Sequence, residues 1–307
     1  MEALQRVHNR GSISTGYDID NSIMFATEGT YADANSLFYD IMQQSEGFAA
    51  DANAGTNARK CTVSAWVKRT KITNSSHYDR IFSYRGGGVA FDAYFDPSSD
   101  QLTMYDDNTS MSLKTNRVFR DNSAWYHYVV AVDTTQGTAS NRVKVYINGT
   151  QVTSFATEEY MSQNYDTMVN STSYPQRVGD RGGGNFDGCM AHVHLTDGTA
   201  YPASTFGETD SVSGIWKPKT APSVTYGTNG FFLKFENSGN LDLDSSGNNH
   251  TFTTSGTLTQ NVDTPTNNFV TFNPLRPNSI SQTYSNGNNT FIRTGTGGQM
   301  NGTLGVT

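Results

Sequence analysis

The chain has 307 residues and a mass of 33.5 kDa, which is enough to bury a full hydrophobic core. Its formal net charge of −7 and pI near 5.3 argue against a nucleic-acid-binding surface, because phosphate contacts need clustered Lys and Arg. The sequence has no apolar run of about 18 residues, so it predicts no membrane insertion. With 17 Phe, 16 Tyr and only 16% charged residues, the composition predicts short strands joined by polar turns.

The N-terminal segment and the cysteines indicate where the protein is made. Residues 1–10 lack the apolar segment of a secretory signal, so we expect assembly in a cytoplasm. Residues 1–20 are polar and predict an arm that either docks onto a neighbour or is disordered. Cys61 and Cys189 lie in predicted strands beside small or aliphatic neighbours, which favours two buried thiols over a disulfide.

Short strands are predicted along most of the chain, each bounded by Gly, Pro, Asp or Asn. They are Asn21–Ala26, Thr62–Arg69, Arg80–Tyr84, Val89–Phe95, Leu102–Tyr105, Ser112–Thr115, Arg177–Val178, Gly188–Leu195 and Gly230–Glu236. Spacings of roughly 8–12 residues are typical of a sandwich or barrel. The last strand is expected beside Ile23–Phe25, and Phe155–Ser173 is predicted to be a polar loop. Pro202–Glu208 predicts one helical turn, whose Phe206 would close the sandwich edge.

The β pattern is interrupted between residues 30 and 57. Leu37, Phe38, Ile41 and Met42 recur at i, i+1, i+4 and i+5, which predicts a short amphipathic helix. We expect this helix to cover one end of the sandwich or to form a subunit contact.

The strongest strand pattern lies at the middle of the chain. Trp125–Val132 is aromatic or β-branched on both faces, which places it at the centre of a sheet. Val143–Ile147 alternates apolar and polar residues, as a strand with one buried face does. Asn148-Gly149 then predicts a type I′ turn. His127 is expected to form a hydrogen bond within the sheet.

Four stretches carry a resemblance to a known family. They are the strand Cys61–Arg69 with its Trp-Val-Lys, the Trp-Tyr-His of residues 125–127, the Val-Tyr-Ile-Asn-Gly of residues 145–149, and Val178–Asp180 followed by Asn185–His194 with Phe-Asp-Gly. In this order they resemble the laminin-G-like, concanavalin-A-like jelly-roll family. The resemblance implies an all-β fold, a two-sheet antiparallel jelly-roll sandwich, here with one short helical insertion and extended terminal segments.

Further stretches resemble a group of virion proteins from tailed phages, particularly marine ones. They are Val118–Trp125, Ser204–Glu208, Gly214–Pro218, Asp244–Asn248, Val262–Pro265 and Phe272–Leu275. This resemblance implies a structural protein exposed on the virion surface, whose partners are other virion proteins and copies of itself. Homotrimers are usual for phage fibres, but no fibrous repeat in this sequence indicates one.

Glycoside hydrolysis is the enzymatic alternative, since many jelly rolls of this type are glucanases. The glucanases on this fold carry a Glu-x-Asp-x-(x)-Glu repeat on one strand, so the resemblance would imply this repeat in an active enzyme. The sequence has no such repeat. Glu158 and Glu159 are adjacent and point to opposite faces, and Asp92 and Asp96 lack a third partner. We therefore expect no enzymatic activity.

Two glycine runs and two histidines have chemical interpretations that we disfavour. Arg85–Gly88 and Arg181–Gly184 lead into strands, so they predict hairpins or bulges, not phosphate loops. His192 and His194 are predicted to project from the face opposite Cys189 and Ala191. Without a third ligand in view, a solvated or hydrogen-bonded face is favoured over zinc.

Calcium is the cofactor that the sequence leaves open. Laminin-G-like folds often hold calcium at the sandwich rim, and one turn here is dense in oxygen ligands. The candidate ligands are Asp187, Asp242, Asp244 and Asn248. One loop is not expected to supply the six to eight oxygens that calcium needs, and a hairpin with an Asx turn is the favoured alternative.

Glycan binding needs aromatic faces beside polar side chains at a loop end. The candidates are Tyr160, Tyr165, Tyr174, Arg181 and Asn185. Because tyrosine is abundant in this chain, no single one stands out.

The predicted organisation has three parts: an arm at 1–20, the sandwich at 21–255, and a linker at 256–307 that begins a second β domain or contacts another subunit. The predicted function is a non-enzymatic virion protein, a tail fibre, tail-associated protein or head-fibre decoration. Its sandwich is expected to bind bacterial surface glycans or copies of itself. The alternatives are a carbohydrate-binding module of a secreted protein and, less favoured, a polysaccharide depolymerase.

Overall fold

A computed structural model describes residues 18–25, 36–39, 56–70, 72, 78–86, 89–167, 176–179, 186–219, 222–255, 258–269, 271–272, 282–285, 290–293 and 305–306. These residues form strands β1 (Ser22–Phe25), β2 (Ser36–Tyr39), β3 (Lys60–Arg69), β4 (Asp79–Gly86), β5 (Val89–Phe95), β6 (Gln101–Asp106), β7 (Met111–Val118), β8 (Tyr126–Asp133), β9 (Val143–Ile147), β10 (Thr150–Gln151), β11 (Phe155–Glu159), β12 (Gln176–Val178), β13 (Gly188–Asp197), β14 (Gly207–Thr209), β15 (Trp216–Pro218), β16 (Phe231–Leu233), β17 (Thr253–Ser255), β18 (Thr259–Asn261), β19 (Thr271–Phe272), β20 (Gln282–Ser285), β21 (Thr290–Arg293) and β22 (Gly305–Val306). Short 3₁₀ turns lie at Ala139–Asn141 and Ala203–Thr205.

Two large antiparallel sheets make the sandwich. The first sheet has the order β10-β9-β8-β3-β13-β1-β18, and β16 also pairs with β13. The second sheet has the order β11-β7-β6-β5-β4-β12-β2-β17. The prediction of an all-β, two-sheet antiparallel jelly roll is confirmed. In the part of the chain that the structure describes, no helix is long and apolar enough to cross a bilayer.

The core lies between the two sheets and follows the alternation of each strand. In β8, Tyr128, Val130 and Val132 face this core, and β8 lies between β3 and β9, as the sequence predicts. Burial of such side chains stabilises the fold by about 1.5–3 kcal/mol each.

The β9–β10 turn is held from both sides. Asn148 and Gly149 have φ values of 48° and 79°, as a type I′ turn requires, so that prediction is confirmed. The Asn148 side-chain oxygen accepts a hydrogen bond from the backbone N–H of His127 at 2.7 Å. A Cβ atom on Gly149 would overlap the Trp216 ring, so only glycine fits here.

A second apolar layer covers the outer face of the first sheet. Met24, Trp66, Trp125 and Ala191 form one cluster there, against which Trp216 packs. The segment 258–269 and the β14–β15 hairpin belong to this covering layer, because Asn261 contacts Met24, Asp263 binds the Trp125 indole, and Trp216 lies on β15.

Phe206 is part of the same layer. It packs with Val129 and Ala203 on the outer face of the first sheet. The prediction that it closes the sandwich edge is therefore wrong, because the 3₁₀ turn before it lies across the sheet.

The predicted helix around Leu37 is wrong over residues 36–39, which form strand β2. This strand pairs in register with β12 on one side and β17 on the other, and two ladders of hydrogen bonds outweigh the helical spacing. Ile41 and Met42 lie outside the described residues.

The predicted polar loop at 155–173 is wrong at its start. Residues 155–159 form β11, which extends the second sheet by pairing with β7. The predicted neighbour of β16 is also wrong: β16 pairs with Val193–Leu195 of β13, whereas β1 pairs with Gly188–Met190. The two strands therefore follow one another along the same edge of β13.

A β-bulge in β13 changes which side chains share a face. His192 has a φ of 46°, and the register against β3 shifts between Ala191 and His194. His194 consequently lies on the same outer face as Cys189 and Ala191. The prediction that it projects from the opposite face is wrong, because strict alternation does not continue through a bulge.

Residues 19–25 meet residues 259–266 at the edge of the first sheet. The backbone N–H of Ile19 donates to Thr266 Oγ1 at 2.9 Å, while residues 1–17 lie outside the described residues. β18 pairs with β1, so the sheet extends beyond the predicted boundary at residue 255. The division into an arm, a sandwich and a second domain stays a prediction.

Candidate functional site

The outer face of the second sheet presents tyrosines among charged side chains. β5 turns Phe91, Ala93 and Phe95 toward the core, so Asp92 and Tyr94 point to the other face. Two cross-strand rows follow, one of Ser83, Asp92, Tyr105 and Ser112 and one of Arg80, Tyr94, Thr103 and Lys114. We call Tyr78, Arg80, Asp92, Tyr94, Tyr105 and Lys114 the tyrosine face.

The rings of this face are held in place by neighbouring side chains. The ring centroids of Tyr78 and Tyr94 lie 5.0 Å apart, edge to face, and the Arg80 guanidinium lies 4.8 Å from the Tyr78 ring. Tyr78 is 42% exposed, and Tyr94 and Tyr105 are half-buried. Burial, and then the nearby Tyr78 and carboxylates, raise the pKa of Tyr94 well above its ordinary value, so its hydroxyl keeps its proton.

The carboxylates of this region are held as anions or buried. Asp92 is fully buried, and its Oδ2 lies 3.7 Å from Arg80 Nε. Asp96 is raised in pKa by burial but lowered further by hydrogen bonds from Ser98, Lys114 and Ser99, so its pKa falls to about 2. Asp96 is therefore ionised at neutral pH and has no proton to donate.

The spacing of these two carboxylates also matters. Asp92 and Asp96 are four residues apart on extended chain, which separates them by about 13 Å. Glycoside hydrolysis needs two carboxyl groups about 5–10 Å apart. The separation of Asp92 and Asp96 is therefore longer than this chemistry requires.

Two of the residues predicted to bind a glycan lie at the edge of this sheet. The Tyr160 hydroxyl donates to Glu158 Oε1 at 2.9 Å, and burial and Glu158 together raise the pKa of Tyr160 to about 12. The Tyr165 hydroxyl accepts from Asn108 Nδ2 at 2.7 Å. Both rings pack against the core. The other predicted glycan residues, Tyr174, Arg181 and Asn185, lie outside the described residues.

The predicted calcium ligands do not come together. Asp244 Oδ1 accepts from the N–H groups of Phe232 and Ser246, and Oδ2 accepts from Ser246 Oγ and the His250 N–H. Asn248 Nδ2 donates to the carbonyl oxygens of residues 227 and 230, so its side chain acts as a donor. This donor set fits an Asx turn.

The two remaining candidates lie elsewhere. Asp187 accepts a hydrogen bond from Thr70 Oγ1 at 2.8 Å and lies immediately before β13. Asp244 bridges to β16, and β16 pairs with a part of β13 that begins about 20 Å along the strand from Asp187. Asp242 Oδ2 lies 3.4 Å from Thr254 Oγ1. Among the described residues, no three His, Cys, Asp or Glu side chains are grouped as a metal site needs. Calcium stays a prediction for a binding measurement.

His127 lies in a buried hydrogen-bonded chain on the first sheet, in line with the sequence prediction. The Trp216 indole N–H can only donate, and it lies 3.0 Å from His127 Nδ1, which must therefore accept. Nε2 then carries the proton and donates to Ser64 Oγ at 2.9 Å. Burial lowers the pKa of His127 to about 3, so the ring is neutral. The Trp66 ring stacks on it at 4.7 Å.

His192 and His194 are buried, not solvated. His194 stacks on Phe232 with ring centroids 3.9 Å apart, and its Nδ1 lies 2.9 Å from the Tyr226 hydroxyl. Burial lowers the pKa of both histidines, that of His192 to about 3. The two buried thiols predicted for Cys61 and Cys189 are confirmed.

Of the two glycine runs, only the first lies in a part of the chain where the structure tests the prediction. Gly86 pairs with Val89 in the β4–β5 hairpin, so the hairpin predicted for Arg85–Gly88 is confirmed. Arg181–Gly184 lies outside the described residues. A separate cleft of about 300 Å³ opens between β7 and the β9–β10 hairpin, where Arg117 lies over Phe119 at 5.1 Å.

Sequence reasoning missed the tyrosine face as a site. A signal was present, because period-two alternation in Val89–Phe95 and Leu102–Tyr105 places Asp92, Tyr94 and Tyr105 on one side of a sheet. Only the cross-strand register shows that the two strands are neighbours and that Arg80 joins them.

Three solved structures are similar to parts of this chain at low identity. A heptameric SAP-like pentraxin from Limulus polyphemus is similar at 14% identity and a TM-score of 0.47, over 80% of this chain and 97% of the pentraxin. Domain 4 of AbnA, an extracellular arabinanase from Geobacillus stearothermophilus solved with arabinotriose, matches at 17% and 0.33, over 47% and 64%. The tailspike protein 2 of Escherichia coli O157:H7 bacteriophage CAB120 matches at 12% and 0.34, over 49% and 21%.

The sequence itself decides the family. No curated protein matches the chain. The Laminin_G_3 family model, described as the concanavalin A-like lectin/glucanases superfamily, matches residues 43–204, which is more than half of the chain. The matched range spans β3 to β13 and includes the tyrosine face. This chain therefore belongs to the Laminin_G_3 family of the concanavalin A-like lectin/glucanase superfamily.

Proposed function

We propose that this protein is a non-enzymatic glycan-binding sandwich and that the tyrosine face is its binding surface. The observation that carries the proposal is the juxtaposition of Tyr78, Tyr94 and Tyr105 with charged side chains on one sheet face. Family membership supports it, because the superfamily contains lectins as well as glucanases.

The chemistry of this face suits a polysaccharide. Tyrosine rings offer flat apolar surfaces to the C–H faces of a sugar ring, and their hydroxyls remain hydrogen-bond donors. Lys114, whose side chain is partly exposed, adds a cationic donor that would favour an acidic glycan. Rings fixed by edge-to-face and cation–π contacts lose little conformational entropy on binding, which favours affinity.

We propose a non-enzymatic protein because of the protonation state and burial of the two carboxylates near this face. A hydrolase needs one carboxyl group that holds a proton and a second at short range. Asp96 is kept ionised by its donors, and Asp92 is buried beside Arg80. Binding without turnover is the function that this arrangement supports best.

We further propose that the sandwich is an exposed appendage of a tailed-phage virion, where it binds the glycans of the bacterial surface. The support is the resemblance of stretches such as Gly214–Pro218 and Val262–Pro265 to phage virion proteins. Copies of the same chain and other virion proteins would be its partners. Detection of the protein on purified particles by antibody labelling tests this, and its absence from the particles would contradict it.

Binding to bacterial surface polysaccharide tests the tyrosine face directly. We expect Tyr94→Ala combined with Tyr105→Ala to weaken affinity by at least about tenfold, because each ring supplies contact area and a fixed donor. Isothermal titration calorimetry with purified host polysaccharide measures the change. Tyr146→Ala is the matched control, since Tyr146 lies on the other sheet and packs beside Val129.

Three other results would each contradict part of the proposal. Unchanged affinity in the double variant would remove the tyrosine face as the site. Loss of affinity in Tyr160→Ala or Tyr165→Ala alone would move the site to the loop after β11. Release of reducing ends from the polysaccharide, abolished by Asp92→Asn, would show an enzyme.

A further inference from the structure

Lys68 is a buried cation on the outer face of the first sheet. It lies on β3, its side chain is 1% exposed, and the segment after β18 passes over it. A lysine ammonium this deeply buried is unusual unless it is paired, since desolvation of the charge is costly. Its three donor positions are directed at three groups of residues 263–269.

The distances around the Lys68 nitrogen are short. Nζ lies 2.6 Å from Asp263 Oδ2, 2.8 Å from Asn268 Oδ1 and 3.0 Å from the carbonyl oxygen of Phe269. Because a C=O bond is about 1.2 Å long, Nζ is at most about 4 Å from the amide carbon of Asn268. That separation approaches the about 3–3.5 Å of reacting atoms before a bond forms.

Both partners of Lys68 are fixed in orientation. Asp263 Oδ1 accepts from the Trp125 indole N–H at 2.9 Å, which leaves Oδ2 directed at Lys68. Asn268 Nδ2 donates to the carbonyl oxygen of Ser123 at 2.8 Å, so its amide oxygen faces the lysine. Nucleophile, carbonyl and carboxylate are therefore preorganised in one site.

We propose that Lys68 and Asn268 are joined by an isopeptide bond, with Asp263 as the proton-transfer group. The proposal rests on the short distances from Lys68 Nζ to Asp263 Oδ2 and Asn268 Oδ1, which bring a nucleophile, an amide and a carboxylate together. Asn268 itself is exposed, which gives the leaving nitrogen a path to solvent. The reaction needs no oxidant or other reagent, because amide exchange is neutral in electrons.

The proton and bond balance is as follows. Asp263 takes one proton from the Lys68 ammonium, and the amine lone pair attacks the Asn268 amide carbon. In the tetrahedral intermediate both nitrogens are bonded to that carbon, so Asp263 can pass a proton from Nζ to the original amide nitrogen. The old C–N bond breaks, the new amide remains, and nitrogen departs as ammonia, which takes up the second proton as ammonium. Asp263 ends as the carboxylate it began as.

The bond would connect β3 to a segment 200 residues later in the chain. It would fix the covering layer, with Trp125 and Asp263, across the outer face of the first sheet. A cross-link that closes so long a loop stabilises mainly by restricting the unfolded chain.

The intact mass of the purified full chain tests the proposal. We expect a mass lower than that of the sequence by about 17 Da, the ammonia lost when the bond forms. Proteolytic mapping should recover a branched species in which the peptide containing Lys68 is joined to the peptide containing Asn268. The wild-type protein alone answers the question, so no variant has to fold for the test to count.

Variants then assign the roles. Lys68→Arg, Asn268→Ala and Asp263→Asn should each restore the full sequence mass. Asn267→Ala is the matched control and should keep the loss, because the Asn267 side chain donates to the Val262 carbonyl oxygen and supplies neither the amide nor the carboxylate of the reaction.

Three outcomes would overturn the proposal. The full sequence mass in the wild type would show an ion pair only. A loss of about 17 Da that persists in Lys68→Arg would indicate an intra-asparagine succinimide elsewhere in the chain. A loss of about 18 Da mapped to Asp263 would show that the carboxylate, not the amide, is the acyl group.

Discussion

Arg69 shows how a single residue stabilises one end of the sandwich. Its guanidinium is 2% exposed, donates to both Asp79 and Asp100, and also reaches the carbonyl oxygen of Phe119 at 2.7 Å. It also lies 4.6 Å from the Phe95 ring. Five N–H donors in a fixed plane suit this set of acceptors, and a lysine would not replace them.

We expect Asp79→Ala to lower the free energy of unfolding by about 3–5 kcal/mol. The variant removes the acceptor of two Arg69 hydrogen bonds, at 3.0 and 2.7 Å, and leaves part of a buried charge unpaired. Urea unfolding followed by tryptophan fluorescence measures the change.

The control for this prediction is an exposed pair. Arg59 and Asp166 also form an ion pair at 2.8 Å, but their side chains are 41% and 66% exposed. We expect Asp166→Ala to cost less than about 1 kcal/mol. Equal losses in the two variants would show that burial does not determine the strength of these pairs.

At the scale of an element, strands β8 and β13 of the first sheet carry three buried neutral histidines. Burial lowers the pKa of His127 and His192 to about 3 and that of His194 well below its ordinary value; neighbouring histidines and Lys234 contribute less. In the unfolded chain these groups titrate near about 6.5. Below that pH these histidines are protonated in the unfolded chain but remain neutral in the folded protein.

Stability should therefore be full above about pH 6.5 and decrease as the pH falls toward about 3. Each histidine contributes a slope of up to about 1.4 kcal/mol per pH unit, so the three give about 4 kcal/mol per unit. Urea unfolding between pH 7.5 and 4.5 measures this slope. Asp96, whose pKa is lowered to about 2, contributes only below the range measured.

A variant separates the histidines from other groups. His192→Gln should reduce the pH slope by about one proton while leaving the rest of the sheet in place. A stability that is flat from pH 7.5 to 4.5 in the wild type would show that these rings are protonated in the folded protein.

Element types and strand faces were predictable where the pattern was long and local. β8 and the Asn148-Gly149 turn follow from β-branched alternation and from a dipeptide that tolerates positive φ. β2 was not predictable, because Leu37 and Phe38 have helical spacing with Ile41 and become a strand only through pairing with distant β12 and β17. The bulge at His192 likewise leaves no mark on the local pattern.

The site was less predictable than the fold for the same reason. Tyr94 and Arg80 are 14 residues apart and become neighbours only through the β4–β5 register. Arg69 and Lys68 also find their buried partners far along the chain, so their sequence context indicates an ordinary strand end. A site whose residues meet only through the register of distant strands can be recognised from the structure but not from the local sequence.

At the scale of the whole molecule, the sandwich has two apolar layers instead of one. The first lies between the sheets, and the second lies outside the first sheet, where Met24, Trp66 and Trp125 are covered by later parts of the chain. β18 and the Asp263 region supply much of this cover. The segment beyond residue 255 therefore contributes to the stability of the sandwich.

A truncation tests this against the boundary predicted at residue 255. We expect a chain of residues 1–255 to unfold at a lower temperature than the full chain and to bind an apolar dye. It would lose the β18 pairing to β1, expose Trp125, and leave Lys68 without its acceptors, each a cost of the order of 1 kcal/mol or more.

A chain of residues 1–272 is the matched control, because it keeps β18, Asp263 and Asn268 in place. Thermal unfolding by circular dichroism compares the three chains at equal concentration. A 1–255 chain as stable as the full protein would establish the boundary at 255, and it would mean that the outer apolar layer tolerates exposure. If the 1–272 chain keeps full stability and the 1–255 chain is destabilised, the sandwich ends after β18 and after residues 263–269, which bind Lys68.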